Sequence, residues 1–352
     1  MKKIIFALFA VAAFAACNNE HTVVTPEGEA IGFANAFVDG TTKAIDPSIT
    51  TTGDKGIKQF VVYGYTQGKD GDTFLAPVCI FPGVTVNGAV ASVDGAGNST
   101  ENNATVGWWT YDSLYTQYWI EDNKYKFAAV VNGTDIATKA SVTPDTTGLP
   151  KSIDYDVKTQ NDLLYAVTDI ITGKKSGNDD VPFTFNHLLS KAVFTFTNTT
   201  LAAPDTGNYY TVESIVIKGL GEVATYDLTG ATTPAWTVTA GDYTEQFGNI
   251  VETATPTGAT AVRVDEQEKF SSNYERLLIP GVYNLTIECV ITMWYDNGST
   301  VGKTKVINYS KPLTHEFVQG NAYSFNLTAG LEDQIEFTVV KVDNWIENQK
   351  NL

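Results

Sequence analysis

Catalysis near neutral pH mostly recruits histidine, cysteine or paired carboxylates, and this chain offers few of them in usable patterns. Its three histidines are His21 in a polar amino-terminal stretch, His187 within FNHLLSK, and His315 after Pro312-Leu313-Thr314. No Ser or Cys sits in a nucleophile motif, no HExxH occurs, and Gly219-Leu220-Gly221 lacks the strand, third glycine and helix of a nucleotide fingerprint. For His187 and His315 the expectation is structural, a capped turn or a satisfied interface position. Asp70-Gly71-Asp72 and Asp179-Asp180 lack the ligand periodicity of a calcium loop and read as solvated turns. The pattern predicts no enzyme, no cofactor and no metal site.

Other reactive types have plainer uses. Met1-Lys2-Lys3 precedes an apolar run from Ile4 to Phe14 and then Ala15-Ala16-Cys17, the layout of a secretory signal too short to span a bilayer. The small residues before Cys17 resemble a bacterial lipobox, so residues 1–16 are expected to be removed and Cys17 to carry lipid. That lipid would be the chain's one membrane contact, with Asn18 to Glu29 as a polar tether. Cys79 and Cys289 lie in the apolar runs APVCIF and IECVITMW and are expected to be buried, unpaired thiols, a single disulfide being the alternative. Trp108, Trp109 and Trp119 are close together in GWWTYDSLYTQYWIEDNKYKFAA. Core packing is the first expectation for them, and an aromatic platform for sugars is the basis of an alternative function, a surface glycan-binding lipoprotein.

These residues must be carried by a folded scaffold. Of 352 residues, 43% are hydrophobic and 12% aromatic, enough for packed cores and roughly two domains. A formal net charge of -17, with no basic cluster, argues against nucleic acid as a partner, because phosphate contacts need grouped Lys and Arg. Short runs rich in β-branched and aromatic residues recur between Gly, Asn, Asp and Pro breaks. They include Ile57 to Tyr65, Leu75 to Phe81, Val84 to Val93, Trp108 to Tyr111, Tyr125 to Val131, Leu163 to Ile171, Ala192 to Asn198, Tyr210 to Lys218, Leu277 to Trp294, Lys303 to Tyr309, Tyr323 to Leu327 and Ile335 to Val342. Only Gln160 to Tyr165 and Asn186 to Lys191 look capable of a helical turn. The expectation is an all-β protein of two tandem β-sandwich domains, 44–186 and 187–352.

One stretch stands apart. From Ala30, AIGFANAFVDGTTKA alternates so that Ile31, Phe33 and Phe37 share one face and Gly32, Ala34 and Ala36 the other, the period of a strand. A polar turn-like run follows, and then Lys43-Ala44, a bond open to a trypsin-like protease if exposed; Lys55-Gly56 is the second choice. A strand beside a cut site can be removed after folding, and the sheet it completed then keeps an apolar groove and an unpaired edge. Residues 17–43 therefore read as a tether plus a removable first strand.

Several stretches taken together resemble the fimbrillin superfamily of Bacteroidetes, the subunits of protease-dependent pili. They are YWIEDNKYKFAAVV (Tyr118 to Val131), QNDLLYAV (Gln160 to Val167), VPFTFNHLLSKAVFTF (Val181 to Phe196), LIPGVYNLTI (Leu278 to Ile287) and HEFVQGNAYSFNLTAGLEDQIEFTVVKVDNW (His315 to Trp345). The resemblance implies paired transthyretin-like sandwiches and a lipidated precursor whose first strand is cut away and replaced by a strand from a neighbouring subunit. It puts the cut between Lys43 and Ala44, although the relatives are cut after Arg. It also implies a carboxyl-terminal donor strand, here expected to include Ile335 to Trp345. Expected partners are other fimbrial subunits in a homopolymer or mixed filament, a processing protease of trypsin-like specificity, and a ligand on a host or bacterial surface.

Overall fold

The computed structural model describes residues 28–38, 57, 59–88, 109–132, 141–174, 178–198, 207–229, 235–247, 268–269, 275–296, 301–329 and 335–342, and the counts below are of these residues. They form an all-β structure. In chain order the strands of the first half are β1 (Phe33–Val38), β2 (Gln59–Gln67), β3 (Lys69–Asp70), β4 (Thr73–Phe74), β5 (Val78–Gly88), β6 (Trp109–Tyr111), β7 (Lys124–Asn132), β8 (Ser141–Pro144), β9 (Pro150–Asp156), β10 (Leu163–Val167), β11 (Ile171–Thr172) and β12 (Val181–His187). The second half adds β13 (Ser190–Asn198), β14 (Gly207–Leu220), β15 (Val223–Asp227), β16 (Ala235–Ala240), β17 (Tyr243–Phe247), β18 (Glu268–Lys269), β19 (Glu275–Leu278), β20 (Gly281–Asp296), β21 (Val301–Phe317), β22 (Ala322–Ala329) and β23 (Ile335–Val342).

Alternation decides which face each strand buries. In β12, Val181, Phe183, Phe185 and His187 are buried while Pro182, Thr184 and Asn186 are exposed, the signature of a strand with one face on a core. β12 belongs to an eight-stranded sheet of order β1-β12-β10-β7-β2-β5-β6, with β11 added to β7. One face of that sheet encloses a core built on Phe33, Phe60, Phe81, Phe127, Phe183 and Phe185. Its other face, through Tyr63, Val130 and Leu163, packs on a four-stranded sheet of order β16-β15-β9-β8, through Ile153, Tyr155, Ala224 and Tyr226. This second sheet joins strands from both halves of the chain, with β9 paired to β15 from Val223↔Asp156 to Asp227↔Ser152.

The remaining strands make a second sandwich. A five-stranded sheet, β18-β13-β22-β23 with β19 on β13, faces a four-stranded sheet, β17-β14-β20-β21. Phe194, Ile215, Ile287, Cys289, Phe317 and Phe325 fill the space between them. β23 is an edge strand of its sheet, paired along its length with β22 only, from Ala322↔Val342 to Ala329↔Ile335.

Local departures from the sequence expectation have local causes. Val78 to Phe81 and Val84 to Gly88, from two expected strands, form one strand, β5, because a register shift opposite Val62/Tyr63 takes up the Pro82-Gly83 break as an irregularity rather than a turn, while residues 89–93 of the second expected strand lie outside the described residues. The turn expected at 160–165 falls earlier, as a 3₁₀ turn at Val157–Thr159 whose N-cap Asp156 accepts from the Lys158 amide, with Gln160 closing it at φ 50°. Residues 186–191 are the extended crossover from β12 to β13, with Leu188 and Leu189 fully buried.

Candidate functional site

The strand singled out in the sequence occupies a seam. β1 lies at one end of the eight-stranded order and β6 at the other. On one side, β1 pairs in parallel with β12, from Phe33↔Val181 to Val38↔Phe185. On the other, the residues just ahead of β1 pair with the segment that follows β6. The Ile31 amide donates to the Gln117 carbonyl (2.8 Å), the Trp119 amide donates to the Glu29 carbonyl (2.9 Å), and Ala30 bridges Tyr118. The Tyr111 hydroxyl of β6 donates to the Ile31 carbonyl at 2.6 Å. Residues 28–38 therefore fill the gap between two margins of one curled sheet, a position that satisfies backbone groups on both sides.

The side chains that can be described here are core side chains. Ile31 is 1% exposed and Phe33 2%. The Phe33 ring meets those of Phe81 (5.4 Å), Tyr111 (5.7 Å), Phe127 (5.9 Å), Phe183 (5.9 Å, stacked) and Phe60 (6.2 Å). Burial of such a ring is worth roughly 1.5–3 kcal/mol, with about 0.5–1.5 kcal/mol more for a well-placed aromatic pair. The strict alternation expected through Phe37 is interrupted. The register passes from Ala34↔Pro182 to Ala36↔Phe183, leaving Asn35 unmatched, so the Phe37 position pairs with Thr184, an exposed residue of β12. A bulge of this kind shifts every later residue by one phase.

Two glycines fit this seam because of what lies against them. A Cβ at Gly28 would come within 2.1 Å of the Trp119 carbonyl oxygen, and one at Gly32 within 1.9 Å of Asp180 Oδ1. Burial, with Glu29 and Asp179 adding to it, raises the Asp180 carboxyl above its usual value. Neither Asp180 nor Tyr111 was singled out for the seam from sequence. The one available hint was the spacing of Gly28 and Gly32 around a strand pattern.

The other candidates are dispersed. Cys17, Lys43, Ala44 and Trp108 lie outside the described residues, as do His21 and Lys55. Trp109 (8% exposed) and Trp119 (2%) belong to the same core as Phe33, so neither presents an open indole face to a sugar in this conformation. Both described cysteines are free. Cys289 is buried, which pushes its thiol to about 12, but Cys79, expected to be buried, is exposed at the start of β5. His187 Nδ1 sits 2.9 Å from Asp162 Oδ2, and the His315 ring packs among Phe317, Tyr323 and Phe325. Asp70 and Asp72 flank the exposed tip of the β3–β4 hairpin. Among the described residues no three His, Cys, Asp or Glu side chains converge on a metal position.

A profile of the fimbrillin-like family matches residues 42–345. Among solved structures, a fimbrial protein from Bacteroides vulgatus superposes with a TM-score of 0.50 at 15% identity, over 90% of this chain and 99% of that one. A candidate cell adhesion protein from Bacteroides ovatus gives 0.48 at 14% identity, over 92% and 99%, and one from Bacteroides uniformis gives 0.43 at 18%, over 91% and 100%. No curated protein matches the chain.

Proposed function

The chain belongs to the fimbrillin-like family, and from that premise we propose that it is a structural subunit of a surface fimbria that supports adhesion, in the stalk rather than at the tip or anchor. It is exported as a precursor, lipidated at Cys17 and carried to the outer membrane. Cleavage between Lys43 and Ala44 releases the strand containing Ile31 and Phe33, and a strand from a neighbouring subunit takes its place. The chain's own carboxyl-terminal segment, from Ile335 to Trp345, serves as donor to another subunit. The role is structural, not catalytic.

The observation that carries this reading is the seam. The first strand is deep in a core, yet among the described residues it is part of no hairpin. Its strand partner β12 is far away in sequence and parallel to it, so the strand can leave without unpicking a turn. Once gone, it would leave an aromatic socket and two rows of unpaired backbone groups, which is the template that β-strand addition requires. β23 suits the role of donor because it is an edge strand, held to one neighbour.

Limited trypsin digestion of the folded full-length chain tests the proposal, with intact mass and native size followed over time. One early cut after Lys43, loss of the amino-terminal strand and growth of oligomers are expected. A chain that resists cleavage there, or a cut product that stays monomeric, would overturn strand removal as the route to assembly. Truncation after Gly330 is expected to abolish polymerisation; a truncated chain that still polymerised would remove β23 from the donor role.

A further inference from the structure

The margin that receives residues 29–31 shows an unusual amount of apolar surface to water. Among the described residues, twelve large apolar side chains are exposed, and four of them fall within seven residues: Leu114 (79%), Tyr115 (43%), Tyr118 (38%) and Ile120 (56%). Leu114 is the most exposed of the twelve. The backbone that carries them is held in place. Leu114 and Tyr115 lie in a 3₁₀ turn, Ser113–Tyr115, whose N-cap Asp112 accepts from the Leu114 amide at 2.9 Å. The Thr116 hydroxyl closes the turn by donating to the Ser113 carbonyl at 2.8 Å. On either side of the turn are the residues that hold Ile31, Tyr111 through the Ile31 carbonyl and Gln117 through the Ile31 amide. Further along, the Tyr125 hydroxyl accepts from the Ile120 amide and donates to the Tyr118 carbonyl, while Trp119 between them is buried in the core. Apolar side chains fixed in water in this way mark an interaction site.

Chain direction says what arrives there. β1 runs parallel to β12, and the residues just ahead of it run antiparallel to the margin at Tyr118. A replacement strand that keeps both ladders keeps β1's direction, because a reversed strand would exchange the parallel and antiparallel patterns on the two margins. Its amino-terminal end then emerges at the Gly28 position, against Trp119 and beside Ile120. A donor strand taken from the carboxyl-terminal end of a chain is joined to its own body through that same amino-terminal end. The body is the second sandwich, since β23 leaves the sheet of β13 and β22. Its departure strips a neighbour from β22, where Phe325 and Leu327 are fully buried, and that side of the core is left short of apolar cover.

Resting on the strand-exchange reading above, we propose that Leu114, Tyr115, Tyr118 and Ile120 form a docking surface for the second sandwich of the neighbouring copy of this chain whose strand occupies the seam. Strand and surface are then two linked contacts, and engagement of one raises the effective concentration of the other. The inserted strand supplies the ladder, and the surface sets the angle at which one subunit meets the next.

A full chain carrying Leu114→Gln and Ile120→Gln separates this surface from the reading it rests on. Both side chains are more than half exposed, so the uncut variant is expected to keep the wild-type urea midpoint. Wild type and variant are cut after Lys43 and freed of the first strand. Binding of a synthetic 28–38 peptide, measured below the concentration at which oligomers form, reports the groove alone; growth of oligomers reports groove and surface together. The variant is expected to bind the peptide within about twofold of wild type and to assemble at least about tenfold more slowly. A photo-crosslinking residue placed at position 114 is expected to join, in oligomers, to the second sandwich of the next copy. Assembly of the variant at the wild-type rate, or crosslinks confined to the first sandwich, would overturn the docking surface while leaving strand exchange intact. Loss of peptide binding in the variant alone would also overturn it, by making these residues part of the groove. Failure of the peptide to bind either chain would remove the open groove, and with it both proposals.

Discussion

Phe33 shows how much can rest on one ring. Truncating it removes contacts with five aromatic neighbours in a site that cannot collapse without moving β2, β5, β6, β7 and β12. Phe33→Ala is expected to destabilise the uncut chain by about 3–5 kcal/mol in urea unfolding. The burial of Ile31 and Phe33 was legible from simple alternation. The glycine walls were not, because the atoms that make them, the Trp119 carbonyl and the Asp180 carboxylate, come from distant strands. His315 makes a second residue-scale case. Its Nε2 is buried without a hydrogen-bond partner, and burial lowers its pKa from the ordinary 6.5, with Glu316 opposing. The unfolded chain therefore takes up a proton more readily than the folded one, and stability must fall as pH drops through 6.5 and below. Urea midpoints at pH 7.5 and 5 are expected to show this loss, and His315→Phe to remove part of it.

At the scale of elements, strand identity was readable wherever β-branched and aromatic residues ran between turn residues, and β23 was read residue for residue. Boundaries slipped where pairing overrode local signals. Lys303 to Tyr309 is the middle of β21, which runs to Phe317 because β20 offers it a partner from Gly281 to Asp296. Pro312 sits inside that strand at its sheet's edge, the position in a sheet where proline is tolerated. The seam itself could not be read, since nothing local says that residues 117–119 lie against residues 29–31. The Tyr111 hydroxyl bond to Ile31 is the side-chain latch on that margin. Tyr111→Phe deletes it and keeps the ring, so about 0.5–1.5 kcal/mol of strand retention is expected to be lost. After cleavage, the mutant's strand should dissociate several-fold faster, as followed by native mass spectrometry, with little change in the unfolding of what remains.

Across the whole molecule, the all-β sandwich character was legible, but the sheet that joins strands from both sides of residue 187 was not. β15 and β16 come from beyond residue 187, yet they extend β9 and β8. Around this sheet, the Gln160 side chain accepts from the Leu277 amide (2.9 Å) and donates to the Leu277 carbonyl (3.2 Å), and the Trp236 indole donates to the Leu188 carbonyl (2.9 Å). Nothing in composition or periodicity announces such a long-range ladder. Its presence predicts that the two halves melt together: calorimetry of the uncut chain should give one transition. Replacing Trp236 with Ala, which opens the contact with Tyr155, Tyr226 and Leu188, should begin to split it.

The parallel register of β1 with β12 also orders events in time. Residue 33 emerges from synthesis and export well before residue 181, its partner, and contacts so far apart along a chain are among the slowest to form. The earliest of the described strands to be made is thus expected to be among the latest to find its place, closing a core whose other walls assemble around the space it will occupy.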